Sequence, residues 1–157
     1  MVDLANFILA RINANWSTGN YDPMPILYHK SDSQRYDTGE RGVTVDLPEG
    51  NVISVGADPT GTNTPMGGEF DYKVETGVSV QVEGLHEDEW GHITDGRDFD
   101  SLVGEVKRTI NLEREWPLPS EGYHTLYITD VNDASGQHGD YYSESFTVVF
   151  RGYQDLP

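Results

Sequence analysis

Apolar residues recur at helical spacing in two segments of the chain. In the first, residues 4–15, they repeat at intervals of three and four positions, which is the pattern of an amphipathic helix. Asp3 precedes this segment, where an N-cap side chain accepts hydrogen bonds from the free amides of the first turn. The pattern therefore predicts a helix over residues 4–15.

The second helical segment is an apolar stripe over residues 99–110. We expect Asp98 or Asp100 to cap its start, and we expect the helix to end before Pro117. Gly104 falls in the middle of the stripe, at a cost of about 1 kcal/mol relative to alanine. This glycine predicts a close approach of the helix to a sheet.

The remaining apolar residues mostly alternate with polar ones, which is the period of a half-buried strand. The expected strands cover residues 43–47, 52–55, 70–82 (one long strand or a bent pair), 123–129 and 142–150. In the last two, we expect one face to carry His124, Leu126, Ile128, Phe146, Val148 and Phe150. Residues 130–140 would join them as a hairpin with a long tip.

Two long stretches, residues 13–42 and 57–68, show no such alternation and are expected to be irregular apart from the end of the first helix. The order of helix, strands, helix and two strands predicts the α+β class. We expect a single domain over residues 1–157, with a mostly antiparallel sheet and two helices packed against it.

Charge changes this picture more than any motif does. The chain carries 27 acidic and 10 basic side chains among 157 residues, for a net charge of −17. Such self-repulsion weakens a compact state in dilute buffer but is screened at molar salt, where the Debye length is about 3 Å. We therefore interpret the chain as salt-adapted, the alternative being an ordinary acidic protein. The charge also disfavours a grip on nucleic-acid phosphates.

Several classes of protein and site find no support in the sequence. The chain has no cysteine, and no stretch approaches the roughly 20 apolar residues of a membrane span. Its first residues lack a basic region, so we expect no signal peptide. No nucleophile elbow, phosphate loop or triad spacing of histidines is present. We therefore expect a binding or structural protein, not an enzyme, without cofactor or metal.

Two acidic segments resemble metal sites without matching them. His86 and His92 are six residues apart, whereas the zincin motif needs histidines four apart on a helix. Residues 130–136 begin like a calcium loop, but Ala134 and Ser135 occupy the places of a ligand and of the turn glycine. We expect a solvated acidic loop and a polar hairpin tip.

The three tryptophans each border an expected element. At such positions an indole more often seals the edge of a core than stacks on a ligand. We expect this sealing role for Trp16, Trp90 and Trp116.

The order of elements resembles that of the tail terminator, or tail-completion, proteins of long-tailed viruses, here with the composition of a haloarchaeal virus. The resemblance rests on the helix at 4–15, the run Pro23-Met24-Pro25-Ile26-Leu27-Tyr28, a β-region with a long loop, the helix at 100–110 and the final strand pair. It covers nearly the whole chain as a pattern, without a short signature. The acidic insert at 83–97 and the length of the loop at 57–68 depart from it.

The resemblance implies a virion protein, assembled in the host cytoplasm, that forms a homo-oligomeric ring, expected to be a hexamer. The ring caps the tail tube, contacts the tail-tube protein and the neck or head-completion protein, and lets DNA pass without specific binding and without a membrane partner. Strands at 78–85 and 142–150 would offer exposed edges to neighbours. The expected lumen or rim acids are Glu87, Asp88, Glu89, Asp130, Asp133 and Asp140. The expected inter-ring loop residues are Asp58, Pro59, Thr60, Asn63, Pro65 and Met66.

Other functions stay open at this point. A neck adaptor or a tail-tube subunit shares much of this physics, although a tube subunit would form long polymers on its own. A halophilic carbohydrate-binding module is a further alternative, because tyrosines and tryptophans on a sheet face can stack on sugars. An enzyme would show turnover that a single carboxylate substitution abolishes.

Overall fold

The two expected helices both form, and they pack on one sheet. The computed structural model describes residues 3–30, 34–36, 50–57, 62–65, 71–112, 114–119, 122–133 and 141–155. Within these residues the helices are α1 (Leu4–Asn15) and α2 (Gly96–Asn111). The strands are β1 (Ile26–His29), β2 (Gln34–Arg35), β3 (Val52–Ala57), β4 (Thr62–Pro65), β5 (Asp71–Leu85), β6 (Glu115–Leu118), β7 (Tyr123–Asp133) and β8 (Tyr141–Asp155).

The strands form one sheet in the order β2-β1-β3-β5-β8-β7-β6, with β4 pairing to the first part of β5. The pairing of β1 with β3 is parallel, and the other strand pairs are antiparallel. The expected α+β class, with a mostly antiparallel sheet and two helices, is confirmed. Neither described helix is long and apolar enough to cross a membrane.

Both helices cover the same face of the sheet. Phe7 of α1 meets Phe150 edge-on with ring centroids 5.8 Å apart, and Phe99 of α2 lies 5.4 Å from Tyr142. Phe150 and Tyr142 are an even number of residues apart on β8, so they project from the same side. The expected inward residues Phe146, Val148 and Phe150 are all buried.

The N-cap expected for α1 is confirmed, but that for α2 lies elsewhere. Asp3 accepts hydrogen bonds from the amides of Ala5 and Asn6. Helix α2 begins earlier than its apolar stripe, and its cap is Asp95, which accepts from the Asp98 amide at 2.8 Å. Asp98 lies in the first turn and reaches back to the Thr94 amide at 2.9 Å. Because the first turn of α2 is polar, the apolar stripe does not indicate where the helix begins.

The role expected for Gly104 is wrong. A Cβ added at this glycine would meet nothing within 4 Å, and the residue is exposed. It lies on the solvent side of α2, so no close approach to the sheet explains it. Helix α2 does end before Pro117, as expected.

Both stretches expected to be irregular contain strands. β1 lies within 13–42 and forms the parallel pair with β3, whereas β4 lies within 57–68 and pairs with β5. The choice between one strand and a bent pair at 70–82 is settled by β5, which runs unbroken for 15 residues from Asp71. The strand expected at 43–47 lies outside the described residues.

A bulge near the start of β7 overturns one expected face. The register with β8 shifts between Tyr123 and Thr125, so that Tyr123 and Leu126 are both buried. His124 does not share their face and stacks instead on the exposed Tyr153, with ring centroids 5.0 Å apart. β7 and β8 form the expected hairpin, and its tip at 134–140 lies outside the described residues.

The strands expected to offer free edges do not do so. β5 pairs with β3 and β4 on one side and with β8 on the other, and β8 lies between β5 and β7. Among the described residues, the side of β7 that faces away from β8 pairs with β6 only around Tyr123 and Thr125. We call the stretch of β7 from Tyr127 to Asn132, which no described strand pairs on that side, the open edge.

Candidate interaction surface at the acidic end of the sheet

The fold brings two of the predicted acidic groups to one end of the sheet. β5 ends at Leu85 opposite Tyr141, and β7 ends at Asp133 opposite Glu144. The acids Glu87, Asp88 and Glu89 follow directly after β5 and are all exposed. β5 and β7 flank β8, so they lie about 10 Å apart across the sheet, and their ends are offset by three residues of β8, or about 10 Å along it. We call Glu87, Asp88, Glu89 and Asp133 the acidic end.

Two other predicted acids do not belong to the acidic end. Asp130 is exposed but lies inside β7, at a register shift between Thr129 and Asn132, with a φ of 55°. It is set back from Asp133 by three residues, or about 10 Å of strand. Asp140 lies outside the described residues.

The predicted inter-ring residues lie towards the opposite end of the sheet. Asn63 and Pro65 are in β4, where they pair with Val74 and Tyr72 of β5. These partners are 11 and 13 residues before Leu85, which corresponds to about 35–45 Å along the strand. Asp58, Pro59, Thr60 and Met66 lie outside the described residues. The acidic end and β4 are thus at opposite ends of one long strand.

The turn that carries the first three acids is organised by His86. Its Nδ1 accepts a hydrogen bond from the Asp88 amide at 3.1 Å, and its Nε2 lies 2.9 Å from the Thr94 carbonyl oxygen. Because a carbonyl only accepts, this arrangement requires the proton on Nε2. The imidazole also stacks on Tyr142 with ring centroids 6.5 Å apart. His86 therefore holds the turn through both ring nitrogens.

Ile93 and Gly91 fix this turn to the sheet. The Ile93 side chain is fully buried, and its backbone bonds to both Leu85 and Glu87. The Gly91 amide donates to the His86 carbonyl, and a Cβ on Gly91 would lie 2.1 Å from the Leu85 carbonyl oxygen. The turn therefore has little room to rearrange.

The sealing role expected for the tryptophans holds for one of them. Trp16 is half-buried, donates from Nε1 to the Tyr21 carbonyl at 3.0 Å and packs edge-on against the Tyr21 ring. Trp90 contradicts the expectation, because it is 85% exposed and has a left-handed φ of 66°. The side chain of Trp116 lies outside the described part of the chain.

The first residues of β8 also have strong local contacts. Tyr141 donates its hydroxyl to the Glu83 carboxylate. Burial, followed by this hydrogen bond, raises the pKa of Tyr141 to about 12, so the phenol stays protonated and keeps donating. This hydrogen bond joins the first residue of β8 to the last part of β5, next to the acidic end.

A second, buried acidic site was not foreseen. The Glu105 carboxylate accepts two hydrogen bonds from Arg108, at 2.6 and 2.7 Å, one from the Ser17 amide and one from Asn20. Arg108 also donates to the Asn15 carbonyl at 2.7 Å, at the end of α1. The Arg108 guanidinium is the main reason that the pKa of Glu105 is lowered below its ordinary value. This cluster fastens α1 to α2.

A signal for this cluster was present in the sequence. Glu105 stands between apolar positions of the α2 stripe and three residues before Arg108, which is the spacing of a helical ion pair. Its partners on the loop after α1 could not be read from spacing, because they lie 85 and 88 residues away along the chain.

Metal chemistry finds no site in the described part of the chain, where no three histidine or acidic side chains are grouped to hold an ion. His92 is exposed, and the segment 86–93 is a loop between β5 and α2, as expected. Of the calcium-like segment, residues 130–133 lie in β7 and residues 134–136 lie outside the described residues.

No protein-family model matches the sequence, and no curated protein matches it.

Proposed function

We propose that this chain is a structural subunit of a virus tail, which assembles into a ring that caps the tail tube and joins the tail to the neck. The observation that carries the proposal is that the two predicted contact regions lie at opposite ends of the long strand β5. The acidic end and β4 are about 35–45 Å apart along β5, and β4 has no charged residue. One subunit can therefore meet two different partners, the tube and the neck, on opposite faces of a ring.

Ring closure needs lateral contacts between different surfaces of neighbouring copies. The open edge of β7 supplies one such surface, and Val131 on it is 53% exposed. A short bulge at Asp130 interrupts this edge, which limits uncontrolled strand pairing.

The charge of the chain fits a channel that DNA crosses without binding. An acidic wall repels the phosphate backbone, whereas a gripping wall would need clustered lysines and arginines. In this proposal the exposed acidic side chains that no contact covers in the ring line or rim its channel.

Light scattering in about 2 M KCl, where charge repulsion is strongly screened, tests the proposal directly. We expect a discrete ring of about six subunits for the parent chain, and monomers for Val131→Lys. Leu112→Lys is the control, because Leu112 is similarly exposed (51%) but follows the end of α2 and is not part of β7. Growth into long polymers would indicate a tube subunit, and a parent chain that stays monomeric would contradict the ring.

A further inference from the structure

Trp90 is the most exposed large apolar side chain among the described residues, at 85%. Three residues later the chain is fully buried at Ile93. The turn therefore exposes the Trp90 ring to water, while Ile93 of the same turn is buried in the core. An exposed indole of this kind is typical of an unoccupied interface, because tryptophan is enriched among the residues that dominate protein binding.

The fold itself does not require tryptophan at this position. Trp90 has a φ of 66°, a region that glycine or asparagine adopts at little cost and that a bulky residue enters at about 1–3 kcal/mol. Its backbone amide donates to the Glu87 carbonyl, a bond that any residue except proline would make. Among the described residues, the Trp90 side chain has no contact that explains why the fold would need tryptophan here.

The surroundings of Trp90 define what could cover it. Glu87, Asp88 and Glu89 precede it directly and are exposed, with Asp88 at 79%. These carboxylates disfavour an anionic membrane, a nucleic acid and the same acidic end of a second copy, because each would add like charge. They favour a surface that brings cations next to the indole.

We propose that Trp90 is the anchor of a docking surface for a partner protein that presents the apolar face of a helix bordered by lysine and arginine side chains. The apolar face would cover the indole, and the basic border would pair with the three acids. This inference goes beyond ring formation and does not depend on it, since Trp90 needs no lateral neighbour.

The rigidity of the turn strengthens the anchor. His86, Gly91 and Ile93 hold the backbone on both sides of Trp90, so little conformational freedom is lost when the indole is bound. A mobile loop would lose more entropy for the same contact. The geometry therefore favours a preformed binding element.

The test uses the full chain and a labelled synthetic helical peptide of leucine and lysine as the probe of basic, apolar surfaces. Fluorescence anisotropy of the peptide is followed against protein concentration in about 0.5 M and 2 M KCl, both strongly screening. We expect Trp90→Ala to weaken binding by about 30-fold or more and Trp90→Phe to retain most of it. Leu112→Ala, a matched exposed apolar control, is expected to change nothing.

Further arms separate the possible occupants. A leucine–glutamate peptide of the same length is expected not to bind, and the triple variant Glu87→Gln, Asp88→Asn, Glu89→Gln is expected to bind the basic peptide more weakly at the lower salt concentration. The proposal is overturned if the parent chain does not bind the basic peptide, if the acidic peptide binds equally well, or if Trp90→Ala leaves binding unchanged. Loss of self-association in Trp90→Ala, measured by light scattering, would assign the surface to a second copy and overturn it as well.

Discussion

Glu105 and the acids of the turn before α2 carry the same charge in opposite surroundings. The Glu105 side chain is 2% exposed and accepts hydrogen bonds from Arg108, Ser17 and Asn20. Glu87 and Glu89 are exposed, and their turn is held by the backbone and by His86. In a chain of net charge −17, the donors around a carboxylate therefore decide whether it supports the fold or remains available at the surface.

The difference also separates stability from recognition along the chain. The Glu105 cluster joins α1 to α2 around a buried carboxylate, although Arg108 and Asn20 reach the surface. The acidic end lies at the ends of β5 and β7, next to the exposed Trp90, so a partner protein can contact it. Substitutions at the two places should therefore change different measurements.

The largest effect on stability is expected from the base of the exposed turn. Ile93→Ala removes a fully buried side chain from under the turn, so we expect a loss of about 3–4 kcal/mol in the free energy of unfolding. Urea unfolding in about 2 M KCl measures it. Trp90→Ala is the control from the same turn and is expected to change stability by less than about 0.5 kcal/mol. Equal losses in both variants would mean that the indole does support the fold.

A smaller loss is expected from the buried carboxylate. Glu105→Gln removes the charge that Arg108 faces and weakens the acceptor of the Ser17 amide, so we expect a loss of about 2 kcal/mol. Glu89→Gln neutralises an exposed acid and is expected to stay within about 0.5 kcal/mol of the parent chain. Equal losses of unfolding free energy for both substitutions in urea would contradict the distinction between the buried Glu105 and the exposed Glu89.

The difference in stability between the parent chain and Glu105→Gln should depend on pH. Because the folded pKa of Glu105 lies below its ordinary value of 4.5, its contribution is present above about pH 4.5 and is lost as the pH falls through the folded pKa. The stability gap between the parent chain and Glu105→Gln should therefore narrow below about pH 4.5. Thermal unfolding from pH 7 to pH 3 measures this gap, and a gap that widens in acid would contradict the assigned role.

Local signals were sufficient where neighbours in sequence are neighbours in space. Asp3 was identified as the cap of α1 because its hydrogen bonds reach only two and three residues ahead. The cap of α2 was missed because a polar first turn separates Asp95 from the apolar stripe. β1 was missed because only four residues pair, and the partner strand that stabilises them is not adjacent in sequence.

The candidate surface divides in the same way. Exposure of Glu87, Asp88 and Glu89 follows from three consecutive charges, which the sequence displays directly. The exposure of Trp90 does not follow, because a tryptophan beside a strand normally turns towards the core. Its direction was set by the buried Ile93 and by the tight contact at Gly91, and neither is visible as a local pattern.

The sequence by itself determined the α+β class, the two helices and four of the eight described strands (β3, β5, β7 and β8), because the hydrophobic period and the capping residues act within a few positions of one another. It also determined the strongly acidic character of the surface. Only the tertiary structure decided which strands are interior, that β7 keeps an open edge, and that two acidic segments share one end of the sheet. Those features depend on strand pairing between residues far apart along the chain, which no local spacing specifies.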